Sequence, residues 1–266
     1  MDTEFAHAFT AGISMERLQE QVPAAFADRP HPEVSARYVF ISTVQLIQAL
    51  MDAGFQPVNA RQTNARHDPQ FTKHMIRFRH ARESLSLREV VPEVILINAH
   101  DASSVYQLRA GLYRPVCTNG LIARMGDFGV IHVPHRGNII QNVVDGALSI
   151  MRGFSTVGEV IERMSLRLLC NEEMLDFAPA AARLRYGDAG RVPYKHSRLL
   201  EARRSSDEGN DLWHVYNVVQ EAIIRGGVPG TTASGRAGRT RSIRAIKEDV
   251  RLNTGLWNLA VNLLRE

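Results

Sequence analysis

Several segments in the first half of the chain are rich in apolar, β-branched and aromatic residues, and residues 71–80 alternate apolar and polar side chains with the period of two of a β-strand. The segment RPVCTNGLIARM (114–125) contains Asn-Gly, a strong hairpin signal, so it is predicted either to turn back on itself or to make a tight strand-to-helix bend. A polar tract over residues 56–70 combines a strand with a loop. The remaining predicted strands cover residues 37–42, 71–80, 93–99, 104–112 and 129–133.

The periodicity changes at residue 138, where apolar residues begin to recur every three or four positions, as they do on one face of a helix. Residues 138–186 therefore predict two or three packed helices, interrupted at Gly153, Gly158 and Pro179. Two more helices are predicted farther along the chain, at 211–225 and at 242–265 with a break near Gly255.

Two shorter helices are predicted before the strands. Ser14 caps one over residues 15–28, and Ser42 or Thr43 caps another over VQLIQALMDAG (44–54). A β-rich first half and an α-rich second half predict an α+β fold, in which an antiparallel β-rich N-terminal half packs with a helical C-terminal half.

The same pattern divides the chain of 266 residues into four parts. Only one stretch has low complexity, and its glycine-rich, basic composition predicts a flexible loop that cannot order itself by burying surface. The predicted parts are an N-terminal helical arm (1–32), an α+β core (33–225), a flexible basic Gly/Arg loop (226–241) and C-terminal docking helices (242–266).

Composition describes an ordinary globular protein, with 44% hydrophobic and 23% charged residues. No apolar run approaches the length of a membrane-spanning helix, and the N-terminus has early acids and no apolar block typical of an export signal. We therefore expect a cytoplasmic protein with no membrane partner, in which Cys117 and Cys170 are reduced thiols.

The net charge is only +4, but all except three of the 32 basic residues are arginines. Guanidinium groups bind phosphate bidentately and stack on bases, so this bias favours an anionic partner such as nucleic acid. A GC-rich coding sequence would produce the same bias. The positions of the arginines must therefore distinguish the two explanations.

The basic loop holds the densest cluster of arginines, with no acid before Glu248. Arginines on a flexible segment can neutralise several phosphates without demanding a base sequence. The alternative is a solvated loop with no partner. The candidate nucleic-acid-binding residues of this cluster are Arg236, Arg239, Arg241 and Arg244.

A second basic cluster surrounds the strand predicted at 71–80, where alternate residues place several cations on one face. Single-strand-binding proteins combine such a face with aromatic side chains on which bases stack. The alternative is an exposed sheet face whose arginine stems cover the core. The candidate residues here are Arg61, Arg66, Lys73, Arg77, Phe78 and Arg79.

The remaining motifs do not establish a phosphate-binding, metal or catalytic site. The glycines and threonines at 227–232 lack the lysine of a phosphate-binding loop. His132 and His135 point to opposite sides of an extended segment, which is unsuitable for a shared metal. Cys117 with a histidine would form a nucleophile and base only if the fold joined them. We therefore predict no catalytic residue, no metal ligand and no cofactor.

Three segments resemble a family of phage- and plasmid-like proteins of unknown function, of the DUF932 type. They are RPVCTNGLI (114–122), NVVQEAIIRGG (217–227) and DVRLNTGLWNLA (249–260). The resemblance implies a mobile-element setting, where small basic proteins commonly bind or anneal single strands. A β-rich half packed with helices is also similar to the architecture of single-strand annealing proteins.

Three functions follow as hypotheses. The first is sequence-tolerant binding and annealing of single-stranded DNA in phage or plasmid recombination, by a homo-oligomer. The second is a mobile-element protein-interaction module that counters or regulates a host defence system through a host protein. The third is an enzyme centred on Cys117 and a histidine.

Overall fold

The fold is described from a computed structural model of the chain. The description covers residues 12–35, 38, 40–64, 68–80, 89–115, 119–123, 130–133, 138–232 and 234–265. The chain forms two compact units. The first unit comprises residues 1–121 and 125–154, and the second comprises 122–124 and 155–266.

A six-stranded sheet forms the centre of the first unit. The first four strands follow one another as antiparallel neighbours, and β5 and β6 both pair with β4. The α+β prediction is confirmed by this antiparallel sheet and by the helices of the C-terminal half. The strands are β1 (Phe55–Gln62), β2 (His74–His80), β3 (Val91–Asn98), β4 (Tyr106–Arg114), β5 (Asn119–Ile122) and β6 (Ile131–Val133).

Two helices and a 3-10 turn accompany this sheet: α1 (Met15–Gln21), the turn Pro23–Phe26 and α2 (Thr43–Asp52). The single helix predicted over 15–28 is divided because Pro23 cannot donate the hydrogen bond that would continue α1. Ser14 does cap α1, since its hydroxyl accepts from the Arg17 amide. Gly54 follows α2 with φ of +93°, as expected after a helix end.

The strand predicted at 37–42 is absent from its described residues, which lie outside the sheet. These residues instead support the core by side chains and carbonyls. The hydroxyl of Tyr38 donates to the Ala99 carbonyl, and the buried Tyr106 hydroxyl donates to the Ile41 carbonyl. The β-propensity of this segment is thus overridden by tertiary contacts.

Helix α3 (Ile139–Leu166) begins in the first unit and ends in the second. Residues 138–186 form two helices, within the predicted two or three, but the predicted interruptions are absent. Helix α3 runs for 28 residues through Gly153 and Gly158, and Pro179 lies inside the helix that follows. Each glycine costs a helix only about 1 kcal/mol, which the burial of neighbours such as Phe154 and Val157 can offset.

The second unit packs three further helices around two buried tryptophans. Trp213 stacks on Tyr216, and Trp257 meets the same tyrosine edge to face. The helix Ile246–Asn262 passes unbroken through Gly255, where an added Cβ would lie 3.0 Å from Leu184. The helices are α4 (Asn171–Tyr186), α5 (Leu212–Arg225) and α6 (Ile246–Asn262).

The segment predicted as a flexible loop, residues 226–241, contains two short strands instead. They are β7 (Pro229–Thr231) and β8 (Ala237–Arg239), paired antiparallel. No helix in the described part of the chain is long and apolar enough to cross a membrane.

Candidate nucleic-acid interface

The structure brings the first basic cluster onto one face of the sheet. Arg77 and Arg79 lie on β2, and Arg61 on β1 stands opposite Met75 of the same face. Lys73 lies just before β2 and is half-buried. Arg66 lies outside the described residues. The predicted shared face is therefore present for the residues that can be placed.

Glu93 of β3 engages two of these arginines. Its Oε2 accepts from Nη1 of Arg77 at 2.8 Å, and its Oε1 accepts from Nε and Nη2 of Arg79 at 2.9 and 2.8 Å. Glu93 is 1% exposed and Arg77 is 6% exposed, so the group is an interior ion-pair network. Arg79 also lies over the ring of Tyr113 at 4.4 Å. These arginines are occupied within the fold.

Phe78 does not fit its expected role as a stacking platform. Its side chain is fully buried, because neighbouring residues of a strand point to opposite faces and Phe78 points into the core. Sequence reasoning also missed Arg109 of β4. It lies on the same face of the sheet as Arg77, because both residues stand opposite Ile95 of β3. Its Nη2 donates to Gln107 Oε1 at 3.1 Å.

The Cys-Thr-Asn-Gly motif now has one structural role. A Cβ added at Gly120 would lie 2.6 Å from both Cζ and Nη2 of Arg77. Only glycine leaves room for the guanidinium that pairs with Glu93. Cys117 and Thr118 lie outside the described residues, as does His135, so the Cys/His pairing is not part of this description. His132 is exposed on β6.

The second basic cluster lies on the segment we call the arginine hairpin, residues 226–244, which holds β7 and β8. Arg236, Arg239, Arg241 and Arg244 are all exposed. Within the described part of the chain, no carboxylate lies within ion-pair distance of any of the four. Arg239 donates to the Gly227 carbonyl at 2.7 Å. The four guanidinium groups are therefore exposed to solvent, and no described carboxylate neutralises their charge.

Hydrogen bonds hold the base of the hairpin. The Gly227 amide donates to the Thr240 carbonyl at 2.8 Å. The guanidinium of Arg185, from the end of α4, donates to the carbonyls of Ile223 and Arg241. Gly226 has φ of +70°, and a Cβ there would lie 2.6 Å from the Arg241 carbonyl oxygen. The chain therefore needs glycine at this crossing.

A cleft of about 280 Å³ lies between the hairpin and the segment around α4. The Thr231 amide donates to the Pro193 carbonyl at 2.7 Å, which holds the two sides together. We call it the hairpin cleft, and its lining residues are Arg185, Tyr186, Pro193, Gly230, Thr231, Thr232, Gly238, Arg239, Thr240 and Arg241.

Sequence reasoning missed the aromatic side of the cleft. Tyr186 meets Tyr194 edge to face with centroids 5.9 Å apart. Burial raises the pKa of the Tyr194 hydroxyl well above its usual range, so it stays protonated. Paired tyrosines flanking a Gly/Pro loop were the available signal, but only the fold brings them to a hairpin some 40 residues away.

A buried polar group in the first unit was also missed. Thr43, His74, Asn98 and His100 are all fully buried. The Thr43 hydroxyl oxygen lies 3.0 Å from Nε2 of His74, 3.1 Å from Nε2 of His100 and 3.2 Å from Nδ2 of Asn98. His74 and His100 therefore have a structural role in the core of the first unit.

Other predicted features behave as structural elements. Glu173 accepts from the Cys170 amide at 2.8 Å, which completes a capping box at the start of α4. Cys170 itself is exposed and carries no disulfide. Among the described residues, no group of three or more histidines, cysteines or acids is placed to hold a metal ion.

Comparison with known proteins places the chain in a family. Residues 30–257 match the domain of unknown function DUF932. The UPF0380 proteins YafZ and YfjQ of Escherichia coli (strain K12) are each 40% identical over 257 residues, covering 96% of this chain and 92% of each relative. No solved structure matches. Because the match extends over most of the chain, the protein belongs to the DUF932 family.

Proposed function

We propose that this protein binds single-stranded DNA without sequence preference, through the arginine hairpin. The observation that carries the proposal is the display of Arg236, Arg239, Arg241 and Arg244 on a hairpin held at its base, with no described carboxylate paired to them. An exposed guanidinium without an acid partner can bind phosphate bidentately without first breaking an ion pair.

The anchored base favours this function over the solvated-loop alternative. Binding by a flexible loop loses conformational entropy when the loop orders. Arg185 and the Gly227–Thr240 bond order the base of the hairpin before any partner arrives. Strand annealing in phage or plasmid recombination, by a homo-oligomer, is the cellular role that we propose for this binding.

The first prediction concerns three hairpin arginines whose side chains carry no structural bond in the described fold. Replacing Arg236, Arg241 and Arg244 with glutamine should lower the salt dependence of binding by about 2 in log–log slope, because about 0.7 counterions are released per phosphate contact on a single strand. Affinity should fall roughly 100-fold at about 0.1 M salt. Fluorescence anisotropy of a labelled oligonucleotide across salt concentrations measures both quantities.

A matched control separates position from net charge. Glutamine at Arg17, Arg29 and Arg198, which are also exposed, removes the same charge elsewhere and should change affinity much less. An equal loss of DNA affinity in both triple variants would mean that affinity depends on the net charge of the protein and not on the position of the hairpin arginines. Absence of wild-type binding at low salt, or binding indifferent to salt, would overturn the proposal.

A second candidate, a protein-interaction module, is favoured by one observation. Leu166, Leu168 and Leu175 are 73%, 63% and 55% exposed within ten positions of one another, although water disfavours exposed leucine side chains. We expect the wild-type protein to co-purify with a stoichiometric partner protein from host lysate after nuclease treatment, and serine at all three positions to lose that partner. Ile140→Ser, which removes a less exposed apolar side chain, is the control and should keep the partner. Loss of all partners by the wild-type protein would contradict this candidate.

A further inference from the structure

The hairpin cleft is small. Its volume is about 280 Å³. Pockets for whole drug-sized ligands begin at about 300 Å³, so this cleft has room for one compact group. A base that is paired and stacked in a duplex must first leave the stack, at an energetic cost, before it can enter such a space. The size therefore favours an unpaired nucleotide.

The charge of the lining points to phosphate. Three of the ten lining residues are arginines and none is an acid. Arg185 donates from its two terminal nitrogens to the carbonyls of Ile223 and Arg241. Arg239 donates one bond, to Gly227, and a guanidinium has five N–H donors. Arg185 uses two of these donors within the protein and Arg239 uses one, so Arg239 and Arg241 have the most donors left for an anion.

Tyr186 provides the surface for a base. Its ring is half-buried, with the Arg185 guanidinium 5.4 Å from the ring centroid and Tyr194 at its edge. These two contacts hold the ring in place where it lines the cleft. A base packed on an ordered tyrosine gains stacking energy without the entropy cost of fixing the ring.

The cleft is formed before any ligand arrives. An added Cβ at Gly230 would lie 2.1 Å from the Pro193 carbonyl oxygen, so the two walls touch through their backbones. The Thr231 amide bonds to that same carbonyl. Glycine at 230 therefore allows the two walls to approach this closely.

We propose that the hairpin cleft takes one unpaired nucleotide of a bound strand, with its base against Tyr186 and its phosphate on Arg239 and Arg241. The inference rests on the proposed function and deepens it. It adds a reason for preferring single strands to duplex, which exposed arginines alone do not supply, because a duplex presents phosphates equally well.

The test compares oligo-dT with the dT·dA duplex of equal length by fluorescence anisotropy at one salt concentration. Tyr186→Leu should weaken binding to oligo-dT roughly 5- to 100-fold, the range for losing one stacked base, and leave duplex binding unchanged. Tyr186→Phe keeps the ring and should retain wild-type affinity. Fluorescence of Trp213 and Trp257, both in the second unit, reports whether each variant is folded.

The outcomes separate the two proposals. If wild type binds neither DNA form, the proposed function itself is contradicted. If wild type binds both forms equally, or Tyr186→Leu is folded and retains oligo-dT affinity while the arginine triple variant loses it, the strand lies outside the cleft and this inference is overturned.

A competition measurement decides the matter should Tyr186→Leu fail to fold. Thymidine monophosphate should displace labelled oligo-dT from the wild-type protein at lower concentration than inorganic phosphate at equal ionic strength. Competition by both at the same concentration would mean that only the charge is recognised, which overturns the inference.

Discussion

Glu93→Ala is expected to destabilise the first unit by about 3–5 kcal/mol, because it leaves two guanidinium groups in the interior without their shared carboxylate. Arg77 and Glu93 are almost fully buried, so water cannot replace the lost charge without opening the sheet. Unfolding in urea followed by circular dichroism, with hydrogen exchange of peptides from β2 to β4, measures this loss.

The control is Glu201→Ala, which breaks the pair of Glu201 with Arg198 at 2.8 Å. Both partners there are about half exposed, and exposed ion pairs contribute little to stability. Both tryptophans of the chain lie in the second unit, so their fluorescence monitors that unit during the same experiment. A midpoint for Glu93→Ala no lower than that of Glu201→Ala would show that the buried network does not stabilise the sheet.

Acid should destabilise the first unit through His74. Burial lowers the pKa of His74 to about 4, from an ordinary value near 6.5. The unfolded chain therefore binds a proton more readily than the folded one, so the free energy of unfolding falls as pH drops from about 6.5 to about 4. The pKa difference corresponds to roughly 3 kcal/mol at the lower end of that range.

Hydrogen bonds fix which ring nitrogen of His74 carries the proton, and the bond to the Thr72 carbonyl opposes part of the lowering of its pKa by burial. Nδ1 of His74 lies 3.0 Å from the Thr72 carbonyl, which only accepts, so Nδ1 carries the proton of the neutral ring. Nε2 then accepts from the Thr43 hydroxyl, whose oxygen accepts in turn from Asn98 and His100. A proton on Nε2 of His74 would place a third donor against that oxygen.

Replacement of His74 by glutamine tests the assignment. The pH dependence of unfolding between about pH 4 and pH 6.5 should flatten in His74→Gln, because the titrating group is gone. His196→Gln, at an exposed histidine, should leave the dependence as it is in the wild type. A wild-type profile that is flat over this range would contradict the role of His74.

The sequence was sufficient for most of the strands and for the fold class. The segments around β2, β3 and β4 are rich enough in β-branched, aromatic and other apolar residues that their strands lie within a few residues of the predicted limits. Sequence periodicity failed where a local signal competed with packing. Gly153, Gly158 and Gly255 predict helix breaks, yet α3 and α6 continue through them.

The candidate site was predicted only in part. Arg236, Arg239, Arg241 and Arg244 could be chosen because they are close in sequence and have no neighbouring acid. Their partners in the hairpin cleft, Arg185 and Tyr186 among them, lie some 50 residues away along the chain, where no local pattern connects them with the hairpin.

The sequence by itself determined the α+β class, the parity that places Arg77 and Arg79 on one face, and the density of charge in residues 236–244. Only the tertiary structure decided which of these charges remain available for a partner. Glu93 of a neighbouring strand pairs with Arg77 and Arg79, whereas no described acid reaches the hairpin arginines. The physical reason is distance. The face on which a strand residue lies follows from its position among adjacent residues, whereas an ion pair forms only if folding brings two charged groups close together.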